Sequence, residues 1–280
     1  AQVKAACARA NARTGRLDQQ LADAIISAAE EVAAGALREQ FITDALQGGA
    51  GTSANMNTNE VLANRALEIL GEPRGHYQLI DPLDHVNLQQ STNDVFPTAL
   101  RVAALRLLLP LIEDFANLQA ALQEKEQEYA ATLALGRTEM QDAVPITWGQ
   151  RFAAWAQAMQ RDWWRLHVVE EKLRQVNLGG TAVGTGLNAD RKYIYVVVDY
   201  LRELTGLNLA RAENTVDLTQ NADVFVEVSG LLKTAAVTLA KIAADLRLLS
   251  AGPRGGIREA LLPELQAGSF IFMDLFHAGL

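Results

Sequence analysis

The sequence predicts an all-α chain of long helices packed as a bundle, and three observations carry that prediction. Apolar residues recur at helical spacing through unusually long segments; one short run alone, YIYVVV at 193–198, reads as strand-like; and polar stretches punctuated by Gly or Pro separate the segments. With 280 residues, 49% hydrophobic content, 20 Gly and only 7 Pro, the chain can bury a large core, which excludes disordered, collagen-like and Pro-rich architectures.

The elements follow in order. The first, VKAACARANARTG from Val3, is helical in pattern and rich in small residues. It carries the single cysteine, Cys7, read as a packing residue because no base lies near it in sequence. Residues 17–34 place Leu21, Ile25, Ala28, Ala29 and Val32 on one helical face, with Gly35 as the stop. The stretch 93–131 reads as a helix of more than about 50 Å at about 1.5 Å per residue. Pro97 sits near its start, where a missing N–H costs little, and Pro110 predicts a kink. A second long helix runs from Trp148 to Gln175, with Trp155, Trp163 and Trp164 filling core or interface space.

Periodicity does not settle 193–198, but the Asp-Arg-Lys start and the following LRELTG suit a helix. The third long segment, 218–249, has its clearest polar positions at Glu227, Thr234, Thr238, Lys241 and Asp245 and is apolar around the rest. Such a helix predicts burial on several sides, in a bundle core or at a subunit interface.

Composition narrows the function. A net charge of -8 argues against a nucleic-acid partner, whose phosphates need a basic face. One cysteine and a start unlike a signal peptide predict a reduced, cytoplasmic setting. No long uncharged apolar run predicts a membrane span. Two G-x-G-x-x-A strings, at 49–54 and 184–189, lack the preceding strand that a dinucleotide site requires, so no such cofactor is expected. His76, His85, His167 and His277 form no ligand pair at helical spacing, so no metal is expected, and His85 reads as a capping or packing residue. No G-x-S-x-G elbow supports a serine hydrolase.

Four polar stretches lie between the long helices: GGAGTSANMNTNE (48–60), HVNLQQSTNDVFP (85–97), LGRTEMQDAVP (135–145) and LGGTAVGTGLNAD (178–190). Ser91-Thr92-Asn93-Asp94 by itself reads first as an N-cap. The same chemistry recurs at Thr52, Ser53, Asn55, Asn57, Thr138, Gln141, Thr181 and Asn188. Brought together, such helix starts would make an anion pocket.

At these residues the sequence resembles the fumarase/aspartase superfamily. The strings GAGTSANMNTNEVLANRA, HVNLQQSTNDVFPTA, GRTEMQDAVPITWGQ, GGTAVGTGLN and KIAADLRLLSAGPRGG look like its successive blocks, in order and spacing. The resemblance implies an all-α, long-helix bundle of the fumarase/aspartase type, with a partial N-terminal helical domain at 1–85 and the central bundle at 86–280. It also implies a homotetramer with active sites shared between subunits, and that the chain lacks the family's first segment, the end of its bundle and its C-terminal domain.

The chemistry implied is reversible anti-elimination on a small dicarboxylate, through an aci-carboxylate that N–H and O–H donors stabilise. Thr52 resembles the family's carboxylate-binding Thr; Ser91, Thr92 and Asn93 resemble its substrate-binding trio; Thr138 and Glu139 match the G-R-T-x pair; and Ser269 matches the general base. Ser-Thr-Asn at 91–93, Asp81-Pro82-Leu83-Asp84 and Glu139 are closer to aspartase-type members, implying release of ammonia from L-aspartate to give fumarate. Fumarate hydration is the alternative. After Ser269 the chain reads Phe270-Ile271-Phe272-Met273-Asp274-Leu275 where the family expects S-x-M-P-x-K-x-N-P. If the loop is truly replaced, that departure implies weak turnover or a catalytically silent helical oligomer; if the family's loop is retained beyond these residues, the enzyme is intact.

Overall fold

Helical spacing decides most of the chain. The computed structural model describes residues 1–46, 49–252 and 254–263, of which Ser269 and His277 are not part. Of the described residues, 63% are helix and 7% strand. The helices are α1 (Gln2–Arg13), α2 (Gln19–Ala33), α3 (Thr52–Ile69), α4 (Thr92–Glu128), α5 (Trp148–Leu173), α6 (Arg191–Thr205), α7 (Thr215–Gln220) and α8 (Asp223–Ser250). The strands are β1 (Leu133–Thr138), β2 (Gln141–Thr147), β3 (Gln175–Val176) and β4 (Ala210–Arg211).

The chain divides into two compact units, one of Ala1–Leu108 with Glu170–Val224, the other of Leu109–Val169 with Phe225–Leu280. In the first, α1 packs against α2 and α6, and α2 against α3. Its core is a cluster of small and branched residues, including Ala5, Ala8, Ile25, Ala28, Ala29, Leu62, Ala63 and Leu67. Alanines at the contacts let helix backbones approach closely while longer side chains fill the gaps.

Local chemistry explains the boundaries. Asp18 caps α2 by accepting from Gln20 and Leu21 N–H, and the chain leaves the helix at Ala34, with Gly35 left-handed. Asp190 caps α6 by accepting from Lys192 N–H, and Gly206 ends it at φ 69°. Between them Tyr193, Val197, Val198 and Leu201 are buried at helical spacing, so the strand-like run 193–198 is helix, as expected.

Two differences from expectation stand out. The segment expected to start at 218 is broken: α7 ends at Gln220, Asn221 is extended, and α8 starts at Asp223. The stretch 135–145, expected as a polar connection, is a β-hairpin, β1 pairing antiparallel with β2 from Leu133↔Thr147 to Thr138↔Gln141. Its two-residue turn, Glu139-Met140, has φ of 51° and 63°, the left-handed pair of a type I′ turn. That geometry favours Asn-Gly, so Glu-Met carried no turn signal in the sequence.

Within the second unit, α8 buries a narrow stripe, Ala235, Ile242 and Leu249, at sevenfold spacing. Val226 (73%) and Val237 (63%) are exposed, as is Leu248. The burial on several sides expected for this helix is therefore not supplied within its own unit. α4 alone among the described residues has the length and apolar content to cross a bilayer, with 39% of that window buried in the chain.

Candidate active site

The site is built around the first turn of α4. Ser91 is the N-cap: its Oγ accepts from Asn93 N–H at 3.2 Å, and its own N–H donates to Asp94 Oδ1 at 3.0 Å. The two bonds form a variant of the capping box, with Asp in the Glu position and Asn93 N–H rather than Asp94 N–H donating to the cap side chain. The cap reading of Ser91–Asp94 therefore holds. Asp94 is buried, and its second oxygen accepts from Gly179 and Thr181 N–H, each at 3.0 Å. Burial pushes this carboxyl above its ordinary range, and the three backbone N–H donors pull the other way.

Asp94 thus fastens the helix start to the 178–190 stretch. Two further bonds complete the joint: Asn93 Nδ2 donates to Ala182 O at 2.8 Å, and Asn177 Nδ2 donates to Asn93 O at 3.0 Å. The second bond corrects the expectation for Pro97. The proline lies past the first turn, so it deprives the Asn93 carbonyl of its helical donor, and the buried Asn177 amide replaces it. In the same stretch Thr181 Oγ donates to Leu187 O. Gly184 has φ +85°, and a Cβ there would stand 2.4 Å from Val216 Cα, so only glycine fits.

The Gly-rich turn before α3 meets the same place. Gly51, at φ +88°, lies so close to Phe96 that a Cβ would stand 2.4 Å from the ring, and Asn55 Nδ2 donates to Thr92 Oγ at 3.0 Å. Thr52, the first residue of α3, is exposed, and its hydroxyl donates to Gly49 O at 2.7 Å. Asn57 serves a different purpose, bridging Ile42 N–H and Gln40 O.

Of the expected site residues, Thr52, Ser91, Thr92 and Asn93 are therefore gathered around one helix start in the first unit. Thr138 ends β1 and Glu139 opens the hairpin turn; both are exposed and belong to the second unit. Ser269 lies outside the described residues. In that second unit Glu259 accepts from Arg137 Nη2 at 2.5 Å and Arg151 Nη1 at 2.8 Å, tying the segment after α8 to the hairpin. A cavity of about 790 Å³ beside it is lined by Arg151, Trp155, Ile242 and Ile257 among others.

Sequence reasoning passed over what lies beneath Thr92. Lys4 of α1 is buried and donates to Asn87 Oδ1 and Gln90 Oε1, each at 2.8 Å. Burial lowers its pKa from 10.5 to about 8. A lysine on the buried face of an alanine-rich helix was the available signal. Cys7 is fully buried, its thiol pushed up to about 12 by burial, in keeping with a packing role. His85 Nδ1 accepts from Asp81 N–H at 2.8 Å, as a capping residue would. No group of three or more His, Cys, Asp or Glu arranged to hold a metal occurs among the described residues.

Comparison with known proteins agrees with this architecture. A family profile described as Lyase matches residues 1–272. An aspartate ammonia-lyase of Bacillus sp is 49% identical over 269 residues, covering 96% of this chain and 58% of that protein. The aspartate ammonia-lyase of Escherichia coli K12 is 46% identical over 270 residues, covering 96% and 56%. Among solved structures, a fumarate lyase:delta crystallin of Brucella melitensis superposes with a TM-score of 0.93 at 47% identity, covering 98% of this chain and 60% of that one. A class II fumarase of Schistosoma mansoni superposes with a TM-score of 0.91 at 33% identity, covering 96% and 60%. The chain spans less than two thirds of the length of each of these relatives. With the family profile matched along almost its whole length and the α3 and α4 helix starts joined as described, this chain belongs to the fumarase/aspartase superfamily of lyases.

Proposed function

We propose that the chain contributes the dicarboxylate-binding part of an aspartate ammonia-lyase, which eliminates ammonia from L-aspartate to give fumarate, reversibly. One observation carries the reading: the acidic group in the α4 turn, Asp94, is turned inward onto three backbone N–H groups. What remains at the turn is hydroxyl and amide chemistry from Ser91, Thr92 and Asn93, with Thr52 on the adjoining α3 turn. Donors of this kind, at a helix N-terminus, favour a carboxylate.

In this reading a base removes the proton from the carbon beside one carboxylate, and that group becomes an aci-carboxylate with about two negative charges. Preorganised N–H and O–H donors lower the energy of this intermediate more than that of the substrate, which is how they accelerate elimination. Thr52, Thr92 and Asn93 hold carboxylate oxygens, Ser91 holds the turn in shape, Thr138 and Glu139 come from the hairpin, and Ser269 is the base. Neither a metal nor an organic cofactor takes part. Uncovered Val226 and Val237 on α8 support a homotetramer in which several subunits complete each site. The unpaired, buried Cys7 supports a reducing, cytoplasmic setting.

The test is to add L-aspartate and, separately, L-malate to the chain and follow fumarate by its ultraviolet absorbance. Fumarate from aspartate supports the reading, and fumarate from malate alone would replace it with a hydratase. The residues after Ser269 favour a second reading, a silent helical oligomer, which turnover of neither substrate would support.

A further inference from the structure

Beneath Thr92 the donors and acceptors form a chain whose polarity is set at one end. Lys4 Nζ carries donors only, so the Asn87 side-chain atom facing it at 2.8 Å must be the carbonyl oxygen. That oxygen is also approached by Asn55 Nδ2 at 3.3 Å and Asn59 Nδ2 at 3.2 Å, so both asparagines must turn their NH₂ groups toward Asn87. Each does so with its own Oδ1 buried and without a protein partner, an orientation local satisfaction does not explain. The Asn55 NH₂ so oriented also donates to Thr92 Oγ at 3.0 Å. Once that oxygen accepts inward, the Thr92 hydroxyl proton points elsewhere.

We propose that Lys4, Asn87 and Asn55 are positioning residues that set the Thr92 hydroxyl as an outward donor to a substrate carboxylate. The proposal rests on the dicarboxylate-binding reading of the α4 turn. With Lys4 protonated, as its pKa near 8 allows at neutral pH, the buried cation also favours an anion above it. Lys4 and Asn55 are buried, so neither touches the ligand directly.

A double-mutant cycle read by calorimetric titration with fumarate tests this, with circular dichroism confirming the fold of each variant. Asn55→Ala in the wild-type chain weakens fumarate about tenfold, the scale of a hydrogen bond to a charged group, and Thr92→Val does likewise. Added to Thr92→Val, Asn55→Ala costs less than about twofold, because its route to the ligand is already gone. Equal losses in both backgrounds would overturn the proposal while leaving the carboxylate reading standing. A folded wild-type chain that binds no fumarate would overturn both. Should Asn55→Ala fail to fold, Lys4→Met enters the same cycle: a larger loss with Thr92 present than with Thr92→Val supports the relay, and equal losses reject it.

Discussion

At the start of α4 the buried Asp94 carboxylate finds all its partners within the chain, whereas along α8 apolar side chains are left uncovered. Asp94, Asn93 and Asn177 bind one another's helix start and loop through five hydrogen bonds of 2.8 to 3.0 Å. On α8, by contrast, Ala235, Ile242 and Leu249 are buried while Val226 and Val237 are exposed. The first region carries its own rigidity, which a site that must hold donors in place requires. The second presents an apolar surface of the kind that the proposed homotetramer would cover.

The largest expected effect would break the first region. Asp94→Asn replaces an acceptor with an NH₂ facing Gly179 and Thr181 N–H, and should cost about 3–5 kcal/mol in chemical denaturation. Gly184→Ala comes next, at about 3 kcal/mol, since it adds a Cβ 2.4 Å from backbone at a positive φ.

Lys4 gives the first region a pH signature. Its folded pKa of about 8 lies below the ordinary 10.5, so between those values the folded chain sheds the proton while the unfolded chain keeps it. Lys4's contribution to stability therefore rises with pH across that window, by up to about 3 kcal/mol. Lys4→Met should flatten that rise; an unchanged slope would show that folding does not lower the Lys4 pKa. The smallest effect falls on α8. Val226→Glu with Val237→Lys should change the stability of its own unit by no more than about 0.5 kcal/mol per site, yet dissociate the proposed tetramer in sedimentation. A monomer in the wild-type chain would remove the contrast between the regions.

Much of this was readable in the sequence where one local signal sufficed. The Asp190-Arg191-Lys192 start and the LRELTG that follows were enough to read 193–198 as helix against the β preference of YIYVVV, and the structure adds the helical burial of Tyr193, Val197 and Leu201. Hydroxyl and amide residues recurring at helix starts pointed to an anion pocket, and the superfamily resemblance singled out Thr52 and Ser91–Asn93 within it as the proposed site. The hairpin was hidden because Glu139-Met140 adopts left-handed geometry without Gly or Asn. The partner of the Asn93 carbonyl lies 84 residues away at Asn177, and that of Lys4 lies 83 away at Asn87. Local pattern carries no information about contacts at such separation, which is why the N–H missing at Pro97 read as costing little.

Every functional role proposed above depends on the α4 turn binding a substrate carboxylate. Backbone amide shift mapping with fumarate tests it most directly. Saturable shifts are expected, centred on Thr52, Ser91, Thr92 and Asn93, with smaller ones at Gly179 and Thr181 and none along 235–249. Shifts centred elsewhere, or none at saturating fumarate, would contradict it.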